Sequence, residues 1–274
     1  MEGADGAATG SEWDGHLLLL HDPDAEWHAA VAAWVQRGLG LGEKVIYIED
    51  PAERGDSVVA TLEAHGVDAA TAVAEGRLAV LPPAEFYPTD GQRQVIDRAL
   101  AEGFPAVRMS AEAAAALTIL SPEDYLSMER GMDELARGLP VSALCQYARS
   151  STTGTGLRDA VGVHLPGIRE RYFATGTGER GLVLRGEVDA GSAEILEAAV
   201  TAFTDVPPRV LALDLAELSF VDVAACRALA HGSWNFRASG GQVLLAAPPP
   251  PVERTLRLLG LSDLPGFQLI GSNR

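Results

Sequence analysis

Short apolar runs alternate with amphipathic helical stretches along almost the whole chain, and this alternation constrains the fold more than any other feature. Leu17–Leu20 and Lys44–Glu49 are apolar runs of the kind found in buried parallel strands. Between them, Asp24–Gly38 has helical periodicity, with Trp27 and Trp34 on one apolar face, where core packing explains them better than ligand binding does. Strand–helix–strand units are right-handed and build a mainly parallel sheet covered by helices on both faces. The chain is therefore predicted to be an α/β protein.

The same alternation continues to the C-terminal end of the chain. Further strands are predicted at Leu78–Leu81, Ala106–Met109, Val141–Tyr147, Leu182–Arg185, Val210–Leu215, Gln242–Ala246 and Gln268–Ile270. Further helices are predicted over Val58–His65, Gln92–Glu102, Asp124–Ala136, Leu157–Val163, Ala193–Phe203, residues 222–238 and Val252–Leu259. Residues 164–180 have a linker composition, which predicts a domain boundary between about 168 and 180. We expect a flexible tail at 1–12, a larger domain at 13–170 and a smaller one at 180–271.

The net charge and the cysteine content of the chain limit the classes of partner it can bind and the compartment in which it is expected. A net charge of −17 argues against binding to nucleic acid or to an anionic membrane, both of which favour clustered Lys and Arg. No apolar run approaches the ~18 residues of a membrane helix, and the N-terminus lacks the basic region of a secretory signal. Cys145 and Cys226 fall in different predicted domains. We therefore expect no disulfide, and a cytoplasmic location.

Residues 211–231 predict a strand, a tight turn and a helix in direct succession. Leucines alternate with small and acidic residues over the first part, and helical spacing follows Asp222. Asp222 lies at the N-cap, where its carboxylate can accept backbone N–H groups and complement the positive end of the helix. The next residue, Val223, is predicted to project from the helix N-terminus, a position that favours an anion such as phosphate.

This segment and its flanking motifs resemble the STAS domain, the fold of bacterial anti-sigma factor antagonists. The matching pieces are Leu211–Cys226, the Gly186-Glu187-Val188-Asp189 turn, the Gly240-Gly241-Gln242-Val243 strand entry and the stretch Leu258–Leu264. They cover roughly residues 180–271 in the order and spacing of that family. The resemblance implies a protein-binding module whose partner is an anti-sigma factor, itself a protein kinase, or another signalling protein. Asp189, Asp222, Val223 and Ala224 are then the candidate partner-binding residues.

One position departs from the STAS pattern. Antagonists of that family have a serine directly after the aspartate, and its phosphorylation separates the partners. Here the sequence is Asp222-Val223-Ala224-Ala225, and valine has no hydroxyl group. Three interpretations are open: the domain binds a partner but has lost its phosphoswitch, another hydroxyl such as that of Ser192 or Ser233 is used, or Asp222 is only a helix cap.

The first half resembles a degenerate RecA/KaiC-type ATPase domain. Gly42-Glu43-Lys44 enters the second strand as in that fold. A phosphate-binding loop would need the pattern G-x-x-x-x-G-K-[ST] after the first strand. The chain has residues 21–26, HDPDAE, in its place. A loop with three acids and no glycine would repel a triphosphate, so we expect no ATP hydrolysis and no cofactor.

The same half also resembles the MEDS domain, a sensory domain described in regulators of methanogens and methylotrophs. The match covers about residues 14–168 and includes Gly15-His16, Gly42-Glu43-Lys44, Arg108–Glu112, Ala143–Tyr147 and the pair His164 and Pro166. Ala111 stands where the family usually has glycine. The resemblance implies a pocket for a small ligand at the strand ends, as expected for open α/β sheets.

Several polar residues of the first half are candidates for that pocket: His16, His21, Arg108, Glu112, Cys145, Tyr147 and His164. Arg108 and Glu112 can form an ion pair that either lines the pocket or is only structural. His16, Cys145 and His164 together have the donor atoms of a soft N/S metal site. Because no metal-binding spacing supports that site, we expect no metal, with these three as weak candidates and Cys145 as a small buried group.

Two hypotheses of different classes follow from the sequence. In the first, a sensor domain binds a small molecule, and the second domain passes the result to an anti-sigma factor or a related partner. In the second, the first half is an enzyme that uses Cys145 as nucleophile and His164 as base, or a metal-assisted hydrolase. We favour the first, non-enzymatic hypothesis. Apolar sheet edges would also allow a homodimer.

Overall fold

A computed structural model of the chain describes residues 13–22, 25–49, 57–87, 90–204 and 209–271. The expected flexible tail at 1–12 lies outside these ranges, as do Pro23 and Asp24 of the loop after the first strand. Within the described ranges, no helix has both the length and the apolar character needed to cross a membrane.

Strands and helices alternate as the sequence predicts. The strands are β1 (His16–His21), β2 (Lys44–Ile48), β3 (Leu78–Leu81), β4 (Val107–Glu112), β5 (Val141–Ala148), β6 (Ile168–Arg169), β7 (Phe173–Gly178), β8 (Gly181–Val188), β9 (Val210–Val221), β10 (Gln242–Ala246) and β11 (Phe267–Ile270). The helices are α1 (Ala25–Gly40), α2 (Val58–Ala64), α3 (Ala69–Ala74), α4 (Pro83–Phe86), α5 (Gly91–Ala101), α6 (Ala113–Leu117), α7 (Pro122–Gly138), α8 (Gly154–Val163), α9 (Ala193–Thr204), α10 (Val223–Gly232), α11 (Trp234–Ala238) and α12 (Pro250–Leu258).

All eleven of these strands belong to one sheet, in the order β11-β10-β9-β8-β7-β6-β1-β5-β4-β2-β3. In the first half, β6, β1, β5, β4, β2 and β3 pair in parallel, and in the second half so do β8, β9, β10 and β11. Only β7 runs antiparallel to its neighbours, β6 and β8. The expected fold class, an α/β parallel-sheet unit followed by a smaller α/β unit, is confirmed.

Two apolar cores cover the faces of the sheet. One lies on a single face of the first half and contains Trp27 and Trp34, which confirms the core assignment of both tryptophans. The other begins in the first half, with residues such as Leu18 and Ile46, and continues into the second half as far as Val243 and Leu245. A single core therefore packs against both halves on that face.

Residues 168–180, where the sequence predicts a domain boundary, form β6 and β7 and close the gap between the two halves of the sheet. Thr175, in β7, stabilises the start of β6. It is fully buried, and its hydroxyl donates to the Leu165 carbonyl and accepts from the Ile168 amide. At Gly186 the backbone has φ +84°, and an added Cβ would lie 2.1 Å from the Tyr172 carbonyl oxygen. The glycines here serve close strand pairing instead of flexibility.

Two elements around Asp222 differ from the prediction. The strand β9 does not end at Leu215 but continues to Val221, because its second part pairs with β8 past a register shift. The helix predicted over 222–238 breaks at Ser233 into α10 and α11. The buried Ser233 hydroxyl donates to the Leu229 carbonyl and accepts from Arg237, a local arrangement that competes with helix continuation.

Arg108 does not pair with Glu112, contrary to one expectation from the sequence. It lies near the start of β4, fully buried, with Nε 2.6 Å from a Glu43 carboxylate oxygen and Nη2 2.7 Å from Asp14. Its guanidinium also stacks on Trp34, 4.7 Å from the ring centroid. Arg108 is therefore a structural residue at the amino end of the strand, away from the carboxyl ends where a ligand pocket is expected.

Gly38 makes room for this buried guanidinium. A Cβ at Gly38 would lie 2.8 Å from Cδ of Arg108, whereas one at Gly40, on the exposed last turn of the same helix, would meet nothing within 4 Å. We expect Gly38→Ala to lower the free energy of unfolding by about 1–3 kcal/mol. Gly40→Ala should leave it unchanged or raise it by up to ~1 kcal/mol. Urea denaturation followed by tryptophan fluorescence measures both, and equal stability of the two variants would contradict this account of Arg108.

Candidate functional site

Four polar side chains meet inside the first half: His16 from β1, Glu129 from α7, Cys145 from β5 and His164 directly after α8. Strands β1 and β5 are parallel neighbours, with His16 two residues out of register with Cys145. Gly167 lets the chain after α8 return onto β1, since a side chain there would overlap the His16 carbonyl. This return places the two imidazoles 4.0 Å apart, centroid to centroid.

The Glu129 carboxylate is the centre of this group. Its Oε2 lies 2.9 Å from His16 Nε2, 3.4 Å from His164 Nε2 and 3.3 Å from Cys145 Sγ. The sulfur is also 3.5 Å from His16 Nε2. Both imidazoles and the carboxylate are almost completely buried, and the cysteine is partly buried. We call these four residues the His/Glu/Cys cluster.

A second layer of groups orients the cluster. His164 Nδ1 is 2.8 Å from the Ala160 carbonyl, one turn back along α8. His16 Nδ1 faces a carboxylate oxygen of Asp133 at 3.7 Å. The Tyr147 hydroxyl donates to Glu129 Oε1 at 3.3 Å and accepts from Tyr125 at 2.9 Å. These contacts fix the two rings and the carboxylate in place.

Burial and mutual contact set the protonation states of the cluster. Burial, with the nearby His164, lowers the pKa of His16, so its imidazole is neutral at neutral pH. Burial alone would raise the pKa of Glu129, but the hydrogen bond from His16 and the proximity of the two imidazoles outweigh it and hold that pKa below its usual range. Burial and the Glu129 carboxylate raise the pKa of Cys145 well above its usual value. The thiol therefore stays protonated and donates to Glu129.

An apolar cavity of about 470 Å³ adjoins the cluster at the carboxyl ends of β4 and β5. Glu112, Glu129 and Tyr147 contribute polar atoms to its wall, and most of the remaining lining is apolar and comes from α6, α7 and α8. Its size and its few polar groups suit a small, mostly apolar ligand with one hydrogen-bonding group. Of the candidates from the sequence, Glu112 and Tyr147 line this cavity directly.

His21 lies elsewhere, at the carboxyl end of β1. Its ring stacks on Trp27 with centroids 4.1 Å apart, and both residues line a second cavity of about 410 Å³. That cavity lies where the two halves meet and also contacts Arg169 and Arg185. The structure thus divides the seven candidates among the cluster (His16, Cys145, His164), the apolar cavity (Glu112, Tyr147), the second cavity (His21) and the amino end of β4 (Arg108).

In the second half, Asp189 and Asp222 lie at the carboxyl ends of the neighbouring strands β8 and β9. The predicted N-cap is present, because Asp222 Oδ1 accepts from the Ala225 amide at 2.9 Å. Val223 follows with 48% of its surface exposed, and Phe220 just before the cap is 47% exposed. Ala224 is half-buried. We call Asp189, Phe220, Asp222, Val223 and Ala224 the helix-tip surface.

The two alternative hydroxyl groups are not accessible. Ser192 is 3% exposed and its hydroxyl accepts from the Asp189 amide, while Ser233 is fully buried. A kinase could reach neither without local unfolding. Cys226 is also buried, and Cys145 and Cys226 are both free cysteines.

The sequence interpretation missed Glu129, the residue that joins the cluster. A signal for it exists: Tyr125, Glu129 and Met132 share the buried face of α7, so an acid lies within an otherwise apolar stripe. An acid on such a face needs a partner in the core. Phe220 was also missed, because an alternating strand pattern does not reveal which large residues stay exposed.

The model of the methanogen/methylotroph DcmR sensory domain, MEDS, matches residues 15–165 of this chain. The chain belongs to the MEDS family. A STAS domain model matches residues 178–271, so a MEDS domain is followed by a STAS domain, in the predicted order. The His/Glu/Cys cluster and the apolar cavity lie in the MEDS domain, and the helix-tip surface lies in the STAS domain.

Two solved structures are similar to parts of the chain. The anti-sigma factor antagonist SpoIIAA in its unphosphorylated form is 20% identical, with a TM-score of 0.30, covering 36% of this chain and 89% of SpoIIAA. A KaiC-like protein from Pyrococcus horikoshii OT3 is 15% identical, with a TM-score of 0.43, covering 62% of this chain and 88% of that protein. The comparison with curated proteins gives no match.

The tyrosine pair beside the cluster gives a test of its packing. Tyr147→Phe removes a donor to Glu129 and the acceptor of the buried Tyr125 hydroxyl. We expect this variant to lose about 1–3 kcal/mol of unfolding free energy, the cost of buried polar groups left without partners. Tyr172→Phe, at a tyrosine that is 54% exposed, should change it by less than ~0.5 kcal/mol. Chemical denaturation of both variants measures the difference, and a neutral Tyr147→Phe would refute the described network.

Proposed function

We propose that this protein is a non-enzymatic signalling regulator. Its MEDS domain binds a small molecule in the apolar cavity, and its STAS domain binds an anti-sigma factor or a related signalling protein through the helix-tip surface. Ligand occupancy, and not phosphorylation, controls the interaction. The packing of three consecutive helices, from the cavity wall to the helix tip, is the observation that carries this proposal.

That packing is direct at each step. Helix α8 contributes Gly156 and Ala160 to the cavity wall and packs against α9 of the STAS domain. Helix α9 packs in turn against α10, whose N-terminus carries the helix-tip surface. Gly232 of α10 supports this contact, because a side chain there would overlap the Glu197 carbonyl oxygen of α9. A ligand that favours one position of α8 would thereby bias the position of α10.

The composition of the cavity supports a ligand of mixed character. Leu117 and Pro122 provide apolar contact, while Glu112 and the Tyr147 hydroxyl lie at the carboxyl ends of the strands. Open α/β sheets bind their ligands at this end. A small aliphatic molecule with one donor group, such as an alcohol or an amine, matches these contacts.

The helix-tip surface supports partner binding without a phosphoswitch. Val223 and Phe220 expose apolar area beside the acidic pair Asp189 and Asp222, which is a mixture suited to a protein interface. Val223 has no hydroxyl, and the nearby Ser192 is buried. Neither Val223 nor Ser192 therefore offers a kinase an accessible hydroxyl group.

The state of Cys145 supports the non-enzymatic assignment. A nucleophilic cysteine is a thiolate activated by a neighbouring base or positive charge. Here burial and Glu129 raise the pKa of the thiol, and the thiol donates to that carboxylate. A protonated thiol beside an anion is a poor nucleophile.

Two exposed valines, one at the start of β9 and one at the start of α10, test the partner surface. Val223, at the helix tip, and Val210, at the start of the strand, are 48% and 49% exposed. Isothermal titration of the full chain against the anti-sigma factors of its source organism should identify a binding partner. We expect Val223→Glu to weaken that binding at least about tenfold and Val210→Glu to leave it within about twofold. Equal effects of the two variants, or no binding by the wild-type chain, would refute the proposed partner role.

The missing hydroxyl gives a second test. Incubated with an anti-sigma factor kinase and ATP, the wild-type chain should show no added phosphate in its intact mass. Val223→Ser places a hydroxyl at an exposed position directly after the Asp222 cap, so we expect one added phosphate. Ala224→Ser, at the half-buried neighbouring position, is the matched control. Phosphate on the wild-type chain, at Ser192 or elsewhere, would show that a kinase switch is retained.

A further inference from the structure

We infer that His16, Glu129, Cys145 and His164 bind one divalent transition-metal ion with the ligand preferences of zinc. This inference concerns a site that the proposed function does not require, and it does not depend on that function. It reverses our expectation from the sequence that the first half holds no metal. The argument rests on spacing, on the orientation of the donor atoms and on charge.

The spacing of the donor atoms matches a tetrahedral site. With Zn–N and Zn–O bonds of about 2.0–2.1 Å and a Zn–S bond of about 2.3 Å, neighbouring donors lie about 3.2–3.7 Å apart. In the cluster, Glu129 Oε2 is 2.9, 3.3 and 3.4 Å from the other three donors, and Cys145 Sγ is 3.5 Å from His16 Nε2. All four donors lie within 4.8 Å of one another. For the four distances given, an ion requires shifts of only a few tenths of an ångström.

The orientation of His164 points a lone pair into the cluster. Its Nδ1 is 2.8 Å from the Ala160 carbonyl, which can only accept, so Nδ1 carries a proton. In the neutral ring the buried Nε2 then presents its lone pair to the Glu129 carboxylate at 3.4 Å, and it has no hydrogen-bond partner. Two acceptors that face each other in a buried site repel unless a cation lies between them.

His16 has the same difficulty in either neutral tautomer. Its two nitrogens face two carboxylates, Glu129 at 2.9 Å and Asp133 at 3.7 Å. With a metal on Nε2, the proton lies on Nδ1 and faces Asp133. This arrangement is the carboxylate–histidine–metal triad found around many protein metal sites. Asp133 and the Ala160 carbonyl are therefore the outer groups that orient the two imidazoles.

The charges of the four ligands balance a divalent ion. Glu129 supplies one negative charge, Cys145 supplies a second as a metal-bound thiolate, and two neutral imidazoles supply none. The loaded centre is then neutral, which makes its burial much less costly than that of the carboxylate alone. A donor set of two nitrogens, one sulfur and one oxygen favours zinc-like ions over magnesium or calcium.

The four ligands also indicate the type of site. They come from β1, α7, β5 and the turn after α8, so a bound ion would join four elements of the MEDS domain. Four protein ligands complete a tetrahedral shell and leave no open position for substrate. The geometry points to a structural or sensory ion and not to a catalytic one.

Cobalt(II) substitution tests the site in the full chain. After treatment with a chelator, the wild-type protein should bind one equivalent of Co²⁺, with tetrahedral absorption in the visible region and a thiolate-to-metal band in the near ultraviolet. Zinc should displace the cobalt and remove both signals. Cys145→Ser should lose the thiolate band, whereas Cys226→Ser, at a cysteine in the STAS domain, should keep it. His65→Ala, at an exposed histidine, should bind as the wild type does.

A second measurement separates a metal site from a buried proton pair. Asp133→Asn should weaken Co²⁺ affinity about 10- to 100-fold, as is usual when an outer-layer carboxylate is lost. Glu134→Gln, on the exposed side of the same helix, should leave the affinity unchanged. Zinc should raise the melting temperature of the wild type and of Glu134→Gln more than that of Asp133→Asn. Circular dichroism checks that each variant is folded. If Cys145→Ser does not fold, the cobalt spectrum of the wild type and the affinity of Asp133→Asn still test the metal site. Substoichiometric binding by the wild type, or a thiolate band that depends on Cys226, would overturn the inference.

Discussion

The backbone pairing of β6 and β7 is the constraint on which the rest of the structure depends. These two short strands join a parallel sheet built by the MEDS domain to a parallel sheet built by the STAS domain. Because one apolar core also continues beneath both halves, a change of position in one half alters packing in the other. A flexible linker between the domains would have isolated them. Under the proposed function, a ligand signal would pass through the packed helices α8, α9 and α10, without a large domain movement.

The sequence predicted the parts of the fold that local patterns control. Apolar runs such as Leu17–Leu20 predicted the buried strands, and the Asp222 cap predicted where α10 begins. The segment 164–180, whose composition indicates a linker, contains β6 and β7, since glycine serves both flexible linkers and closely paired strands. Only the position of neighbouring backbone, such as the Tyr172 carbonyl against Gly186, distinguishes these two uses.

The candidate site was predictable only in part, because contacts between residues far apart in the sequence determine it. His16, Cys145 and His164 were grouped from their donor chemistry, although nearly 150 residues separate the first from the last. Glu129 was not included, because its role depends on which face of α7 packs on β5. Arg108 was assigned to the wrong end of its strand, and its partners Asp14 and Glu43 come from segments far away in the sequence. Long-range charge pairing of this kind leaves no local pattern.

Control by occupancy requires the MEDS domain to have two arrangements that differ little in energy. The cluster lies beside the cavity and shares Glu129 with its wall, so the charge state of the cluster affects any ligand that contacts this carboxylate. Without a bound cation, Glu129 can accept a hydrogen bond from a ligand. With a cation bound, the carboxylate is committed to the ion, and a ligand is left with the other polar groups of the lining, such as Glu112 and the Tyr147 hydroxyl. The presence or absence of the metal would then change which ligands bind in the cavity. Helix α8 forms part of the cavity wall, so its position would transmit this difference in ligand binding to the STAS domain.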